Sequence, residues 1–335
     1  MPRFHLSLFL AALCAACASQ PETKIDPEVQ LEIYRETALT HYLNRDLARA
    51  ESQALKGLEL DDEDKALRLL VGSIELKRGT PEGLERAAWV FRNYLRDHPG
   101  EQRALIGLAG ALEGLGEVQL AVATAIERGE RLPDRSTPEK RARQLREDSE
   151  ESWEEALELY TEAFEQRDDS IDALDGLQRV TARLGRYEES LSWSAELLER
   201  ATIDRDWYRG RLENSNLNES EEKRLREGER RSRRRMVNTQ LFVSAQLVDQ
   251  GRLPAAMAAL DVALDIDPTL VDAYSRRAQL RYLLEDYSGA RADVERFISS
   301  SSLPTDHPDV TRAFELLDYA QREDPNLEWV VTTTR

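Results

Sequence analysis

The residues best equipped for chemistry are few and scattered. The four histidines, His5, His41, His98 and His307, stand far apart in the chain. None is joined by cysteines or carboxylates at metal-ligand spacing, and no H-E-x-x-H occurs. Cys14 and Cys17 are the only cysteines. Their C-x-x-C spacing is that of a redox dithiol or half a metal site. Both lie near the N-terminus, however, and no second pair exists to complete a site. Carboxylate pairs such as Asp61/Asp62 and Glu154/Glu155 sit inside charged runs. A solvated helix face accounts for them, whereas general acid–base work needs a pocket. No G-x-S-x-G, Walker-type or dinucleotide-type glycine pattern is present. The expectation is a chain without catalytic residues, metal or cofactor.

One cluster does stand out. Lys223, Arg224, Arg226, Arg230, Arg231, Arg233, Arg234 and Arg235 crowd into a short run, in a chain of net charge −18. Two readings compete. In the first, the run is a solvated helix whose cations pair with Glu219, Glu222, Glu227 and Glu229 at helical spacing. In the second, Lys223, Arg224, Arg230, Arg231, Arg234 and Arg235 form a patch for a polyanion, either anionic lipid or an acidic protein. Nucleic acid is not expected, because the whole chain is acidic and no aromatic platform interleaves the arginines.

Elements that could position such residues are helical. Charged residues make up 33% of the 335 and aromatics 7%, which suits helices with thin apolar stripes. Two adjacent copies of a unit of about 34 residues occupy Val237–Pro304. Ser244 and Ala278 take matching places, as do Ala256 and Ala290, and Ala263 and Phe297. Each copy holds two amphipathic runs, separated by Asp249–Arg252 or by Glu285–Asp286. A pair of short helices cannot bury its stripe alone, so such units come in arrays.

This spacing resembles the tetratricopeptide-repeat (TPR) family. The resemblance implies an all-α, right-handed α-solenoid of about seven helical hairpins plus a C-terminal capping helix. It also implies a concave face lined by the first helix of each unit. In the last two units, Asn238, Leu241, Phe242, Ala245, Arg276, Gln279 and Tyr282 would then form a groove for a partner protein or peptide. The Lys and Asn set with which the family clamps chaperone tails is missing. The leading expectation is a protein–protein interaction scaffold. The rival is a polyanion- or membrane-surface module acting through 223–235.

In chain order, 1–19 is read as an export signal and 20–30 as a tether. Residues 31–204 hold repeats one to five, 205–236 a charged insertion with a long helix, 237–304 repeats six and seven, and 305–335 a capping helix and tail. The third repeat, Gln102–Arg135, is among the clearest, with Leu108, Ala109, Leu112, Gly116, Ala121, Ala125 and Pro133 in repeat places. Its first helix is rich in glycine (Gly107, Gly110, Gly114), which weakens it as a helix; close helix contact, a ligand-facing wall or plain drift would each account for that. The fourth, Thr137–Ser170, has a nearly all-polar first helix. In the fifth, Ser190 stands where alanine is usual. The run Glu219–Met236 should continue into Val237 as one long helix.

The first residues combine a basic start, an apolar run Leu6–Leu13 and the small-residue exit Ala15-Ala16-Cys17-Ala18-Ser19. This reads as a bacterial-type export signal, the apolar run being too short to span a bilayer. It is similar to a lipoprotein signal, in which Cys17 would be lipidated and become the mature N-terminus. Cys14 takes the place where that family usually has leucine. Cleavage after Ala18 and an uncleaved anchor are the alternatives. The lipidated form would face the periplasm from the outer membrane, and the cleaved form would be periplasmic or secreted.

Overall fold

The structure, a computed structural model, describes residues 26–131, 137–213, 216–325 and 327. Cys17 and the rest of the export-signal reading lie outside them. Among the described residues there are thirteen α-helices and no strand. They fall into two compact units, one ending at Gly114 and one starting at Leu115.

The N-terminal unit contains α1 (Pro27–Leu43), α2 (Leu47–Leu58), α3 (Lys65–Arg78), α4 (Pro81–Asp97) and the first half of α5 (Gln102–Glu127). Each start is specified locally. Asp26, Asp46, Asp64 and Thr80 accept hydrogen bonds from free backbone N–H groups at the heads of α1 to α4. Helix α1 begins at Pro27 and so takes in the end of the segment expected to be a tether. Asp26 caps it, and Pro27 has the φ of a first helical residue. Gly79 closes α3 at φ 65°, a left-handed conformation that suits glycine. Helix α1 packs on α2 and also on α3, the contact by which one hairpin stacks on the next. Ala38, Ala50 and Ala54 are fully buried where these helices meet.

Phe91 of α4 is almost fully buried, with a glycine on each of two neighbouring helices. A Cβ at Gly72 of α3 would lie 2.7 Å from its ring, and one at Gly107 of α5 would lie 2.4 Å away. Leu84 covers Gly114 in the same manner. Close helix contact therefore explains Gly107 and Gly114. Helix α5 is long and apolar enough to cross a membrane, but these contacts build it into the protein core.

The other unit contains the second half of α5, then α6 (Pro138–Gln166), α7 (Ile171–Arg183), α8 (Tyr187–Leu212), α9 (Glu219–Asp249), α10 (Leu253–Ile266), α11 (Val271–Leu283), α12 (Tyr287–Ser300) and α13 (Pro308–Glu323). Consecutive helices pack from α6 to α13, and α11 also touches α13, the expected C-terminal cap.

Two expected hairpins are absent as such. The third repeat does not turn at Gly116, because α5 runs through it unbroken. The turn at Gly79 is followed by the capping Thr80 and by Pro81, whereas Gly116 is followed by Glu117-Val118, which offer neither. The missing Cβ at Gly116 instead admits Trp153, whose indole Nε1 would lie 2.4 Å from an added Cβ. The fourth repeat is likewise one helix of 29 residues, α6. The end of α5 and the start of α6 pair lengthwise. Ala123, Ile126, Ala142 and Leu145 form a small core between them. Arg146 makes a two-pronged ion pair with Glu127 at 2.9 and 2.7 Å, and Ser152 donates to Gln119 at 3.2 Å.

The boundary at 205–236 also changes. Helix α8 passes Trp207 and Tyr208 and ends at Leu212, and α9 returns beside it as one helix of 31 residues. The segment expected as an insertion is the far end of an overlong α8–α9 hairpin. Its contacts are specific. A Cβ at Gly228 would lie 2.3 Å from the Tyr208 ring, Arg209 pairs with Glu229 at 3.4 Å, and Ser232 and Met236 are buried.

Replacing Gly107 with valine should force the Phe91 ring out of its place. The expected loss is about 1–3 kcal/mol of stability, the overpacking range. It would be measured as a lowered urea midpoint. An unchanged midpoint would show that Phe91 can move aside without loss.

Candidate functional site

The richest surface in the second unit forms where α9 passes the turn between α10 and α11. The sequence of α9 explains its length. Asn218 and Glu221 form a reciprocal capping box, with hydrogen bonds of 2.9 and 3.1 Å. Glu219, Glu221 and Glu222 place negative charge at the positive end of the helix dipole. Further along, Glu222 pairs with Arg226, Glu227 with Arg230 at 3.9 Å and Glu229 with Arg233 at 4.0 Å. The paired-helix reading thus accounts for Arg226, Arg230 and Arg233. Lys223, Arg224, Arg231, Arg234 and Arg235 have no ion-pair partner among the described residues.

Below the basic run a buried polar chain fixes α9. Gln246 donates to Ser190 Oγ at 2.8 Å, Ser190 donates to the Gln178 carbonyl at 2.6 Å, and Ser194 donates to Gln178 Oε1 at 3.0 Å. Ser190 is the residue that replaces the usual alanine, and this chain is what it does. On the other side Ser244 donates to the Ala256 carbonyl at 2.9 Å, tying α9 to α10.

Helix α11 is fixed by Arg277. Its guanidinium grips Asp293 of α12 with two bonds of 2.8 and 2.6 Å and Asp261 of α10 with one of 2.6 Å. Arg281 adds a contact to Asp293 at 3.0 Å. Asp293 is almost fully buried, and these partners raise the already high Arg277 pKa, Asp293 contributing most. The intervening turn is set by Asp267, whose carboxylate accepts from Thr269 Oγ at 2.6 Å and from Thr269 N at 3.0 Å. Those bonds, and more weakly the charge of Arg233, hold the Asp267 carboxyl below its ordinary pKa. Arg233 also donates to the Ile266 carbonyl at the end of α10.

Two cavities open along this line. One, of about 530 Å³, is lined by residues including Arg230, Arg233, Arg234, Asn238, Asp267 and Leu270. The other, of about 350 Å³, is lined by residues including Leu241, Leu270, Val271, Asp272 and Arg276. Leu270 borders both, so they form one groove. Of the residues expected to bind a partner, Asn238, Leu241 and Arg276 come together here. Phe242 is half-buried and Ala245 and Gln279 are exposed, outside either cavity. Tyr282 lies against Tyr287, ring centroids 5.7 Å apart. Arg230 and Arg234 of the basic run reach the groove; Lys223, Arg224, Arg231 and Arg235 do not line it. Asp267 and Leu270 were missed in the sequence, since they lie outside the first-helix places and only the folded turn brings them in; Arg233 was named in the basic run but not as part of a groove.

No group of metal-ligating side chains occurs among the described residues. His98 stacks on Tyr94 at 4.5 Å. His307 accepts from the Asp309 N–H at the head of α13.

No family model and no curated protein matches this sequence. Solved structures do match. PilF of Pseudomonas aeruginosa aligns at TM-score 0.51 and 12% identity, over 86% of this chain and 98% of its own. A monomeric IFIT1 mutant with Gppp-AAAA aligns at 0.52 and 13%, over 88% of this chain and 54% of its own. A thermophilic TPR protein of Thermus thermophilus aligns at 0.46 and 14%, over 76% of this chain and 98% of its own. At such identities the likeness concerns the fold.

Two predictions test the supports of the groove. Asp293→Ala leaves Arg277 buried with one carboxylate fewer and should cost about 3 kcal/mol, seen as faster hydrogen exchange in α11 and α12. Unchanged exchange would show that Asp261 suffices. Because the folded pKa of Asp267 is lowered, its contribution is fully present above the ordinary aspartate value of about 4. It is lost as pH falls through the lowered value. Thr269→Ala should therefore flatten the acid limb of the pH–stability curve, and an unchanged limb would refute the assignment.

Proposed function

We infer, from a chain that is an all-α solenoid of the tetratricopeptide-repeat type, a non-catalytic scaffold of the bacterial cell envelope that holds a segment of a partner protein in the groove of α9 and α11. The observation that supports it most is the groove itself. Leu241, Leu270 and Val271 supply an apolar floor, and Asn238, Arg234 and Arg276 supply polar contacts beside it. Such a surface can hold a peptide through a few apolar anchors and oriented polar groups. The groove is preformed, since Arg277, Asp267 and Ser244 fix the elements around it. A partner therefore meets little ordering cost on the scaffold side.

The envelope location rests on the signal-like residues 1–19, with Cys17 as the proposed site of lipidation. Labelled palmitate incorporated by the chain and lost on Cys17→Ser would support the anchor. Incorporation unaffected by that change would sink it.

The groove is tested by affinity capture from bacterial envelope extract, with the chain from residue 20 onward as bait. A Leu241→Asp/Arg276→Glu variant that stays folded should lose its partner, while Phe242→Asp/Tyr282→Asp should retain most binding. A partner kept by the first variant would place the interaction elsewhere.

A further inference from the structure

The groove and the basic run, separate in the sequence, are one surface. Lys223, Arg230, Arg234, Asn238 and Leu241 follow one another at spacings that keep them on a single face of α9. The structure brings the turn at Asp267–Leu270 and the start of α11 against that face. We propose that this composite groove takes an acidic segment of a partner protein, one carrying an apolar side chain set between carboxylates. The proposal deepens the scaffold reading and rests on it.

Charge supports the choice. The acidic groups in the groove are largely engaged: Glu227 lies 3.9 Å from Arg230, and Asp267 accepts two hydrogen bonds from Thr269. Asp272 remains, in the first turn of α11, where the helix dipole favours it. On the cationic side, Arg234 and Arg276 have no ion-pair partner among the described residues. They sit in different cavities with the apolar floor between them. The open valence of the groove is thus two guanidiniums flanking an apolar recess. A carboxylate can meet either guanidinium with two parallel hydrogen bonds. The chain as a whole carries −18, so an acidic segment is repelled from most of the surface and favoured here. Such complementarity acts mainly on specificity and on the rate of encounter.

Other polyanions fit less well. A bilayer presents its headgroups on a broad surface, whereas these two cations line recesses. Nucleic acid binding uses aromatic stacking surfaces, and no aromatic residue lines either cavity.

The test is selection from a display library of random peptides of about twelve residues, panned on the full chain. Phosphatidylglycerol vesicles are tested in parallel. The selected peptides should carry two or more Asp or Glu residues around a Leu, Ile or Phe. Synthetic copies should bind at least about tenfold more weakly to an Arg234→Glu/Arg276→Glu variant whose helicity is unchanged. Arg234→Gln/Arg276→Gln should give a smaller loss. Binding should also weaken as salt rises from about 0.05 M to about 0.5 M. Selected peptides without acidic residues, or acidic peptides indifferent to charge reversal, would overturn the proposal. So would vesicle binding through the same arginines with no peptide selected. Non-acidic peptides lost on Leu241→Asp would overturn the acidic partner and leave the scaffold standing. Failure to select any peptide would count against both.

Discussion

A helical hairpin has two apolar faces and can cover only one of them from within. The other must be covered by the next hairpin, and this constraint runs through the structure. It places a small residue where two axes approach closely, as at Ala54, Gly107, Ala256 and Ala290, and with a hydroxyl at Ser190 and Ser244. It also makes the first helix of each pair a wall, covered behind by its own hairpin and open in front. The groove on α9 is what remains when stacking has been satisfied on the other sides. Its edges are polar because they lie at the turn, where backbone groups need partners and side chains such as Thr269 and Asp267 supply them.

Much of this was legible in the sequence. The hairpins from Val237 to Pro304 follow from matching small residues and a repeated length, and the long α9 follows from a charged run behind Asn218 that no proline interrupts. The third and fourth repeats did not follow. Glycine at a turn place has two physical uses, a left-handed backbone or a close approach, and its letter is the same for both. At Gly79 the first use holds; at Gly116 the second does, and what decides is Trp153 on another helix. Local spacing carries no trace of that.

The groove shows the same division. Leu241 and Arg276 were placed on the inner wall by repeat position, and Arg234 was singled out by charge. That they border one continuous recess depends on how α10 ends and where Leu270 falls. Phe242, Ala245, Gln279 and Tyr282 had the same repeat-based argument as Leu241, yet the turn at Asp267–Leu270 reaches only the N-terminal side of α9's inner face. Repeat position gives the wall a residue stands on, and the neighbouring turn decides how much of that wall is recessed.

The continuity of α9 has a consequence for scale. From Glu219 at the far end of the hairpin to Leu241 in the groove the chain rises without a break, a distance of about 33 Å at 1.5 Å per residue. Gly228, Ser232 and Met236 lock that length against α8, which also carries the exposed Ile203 and Trp207. The helix is therefore a ruler. Two partners, one on the tip and one in the groove, would be held at a fixed separation. A single partner long enough to touch both would gain the advantage of a second contact only if its own spacing matched.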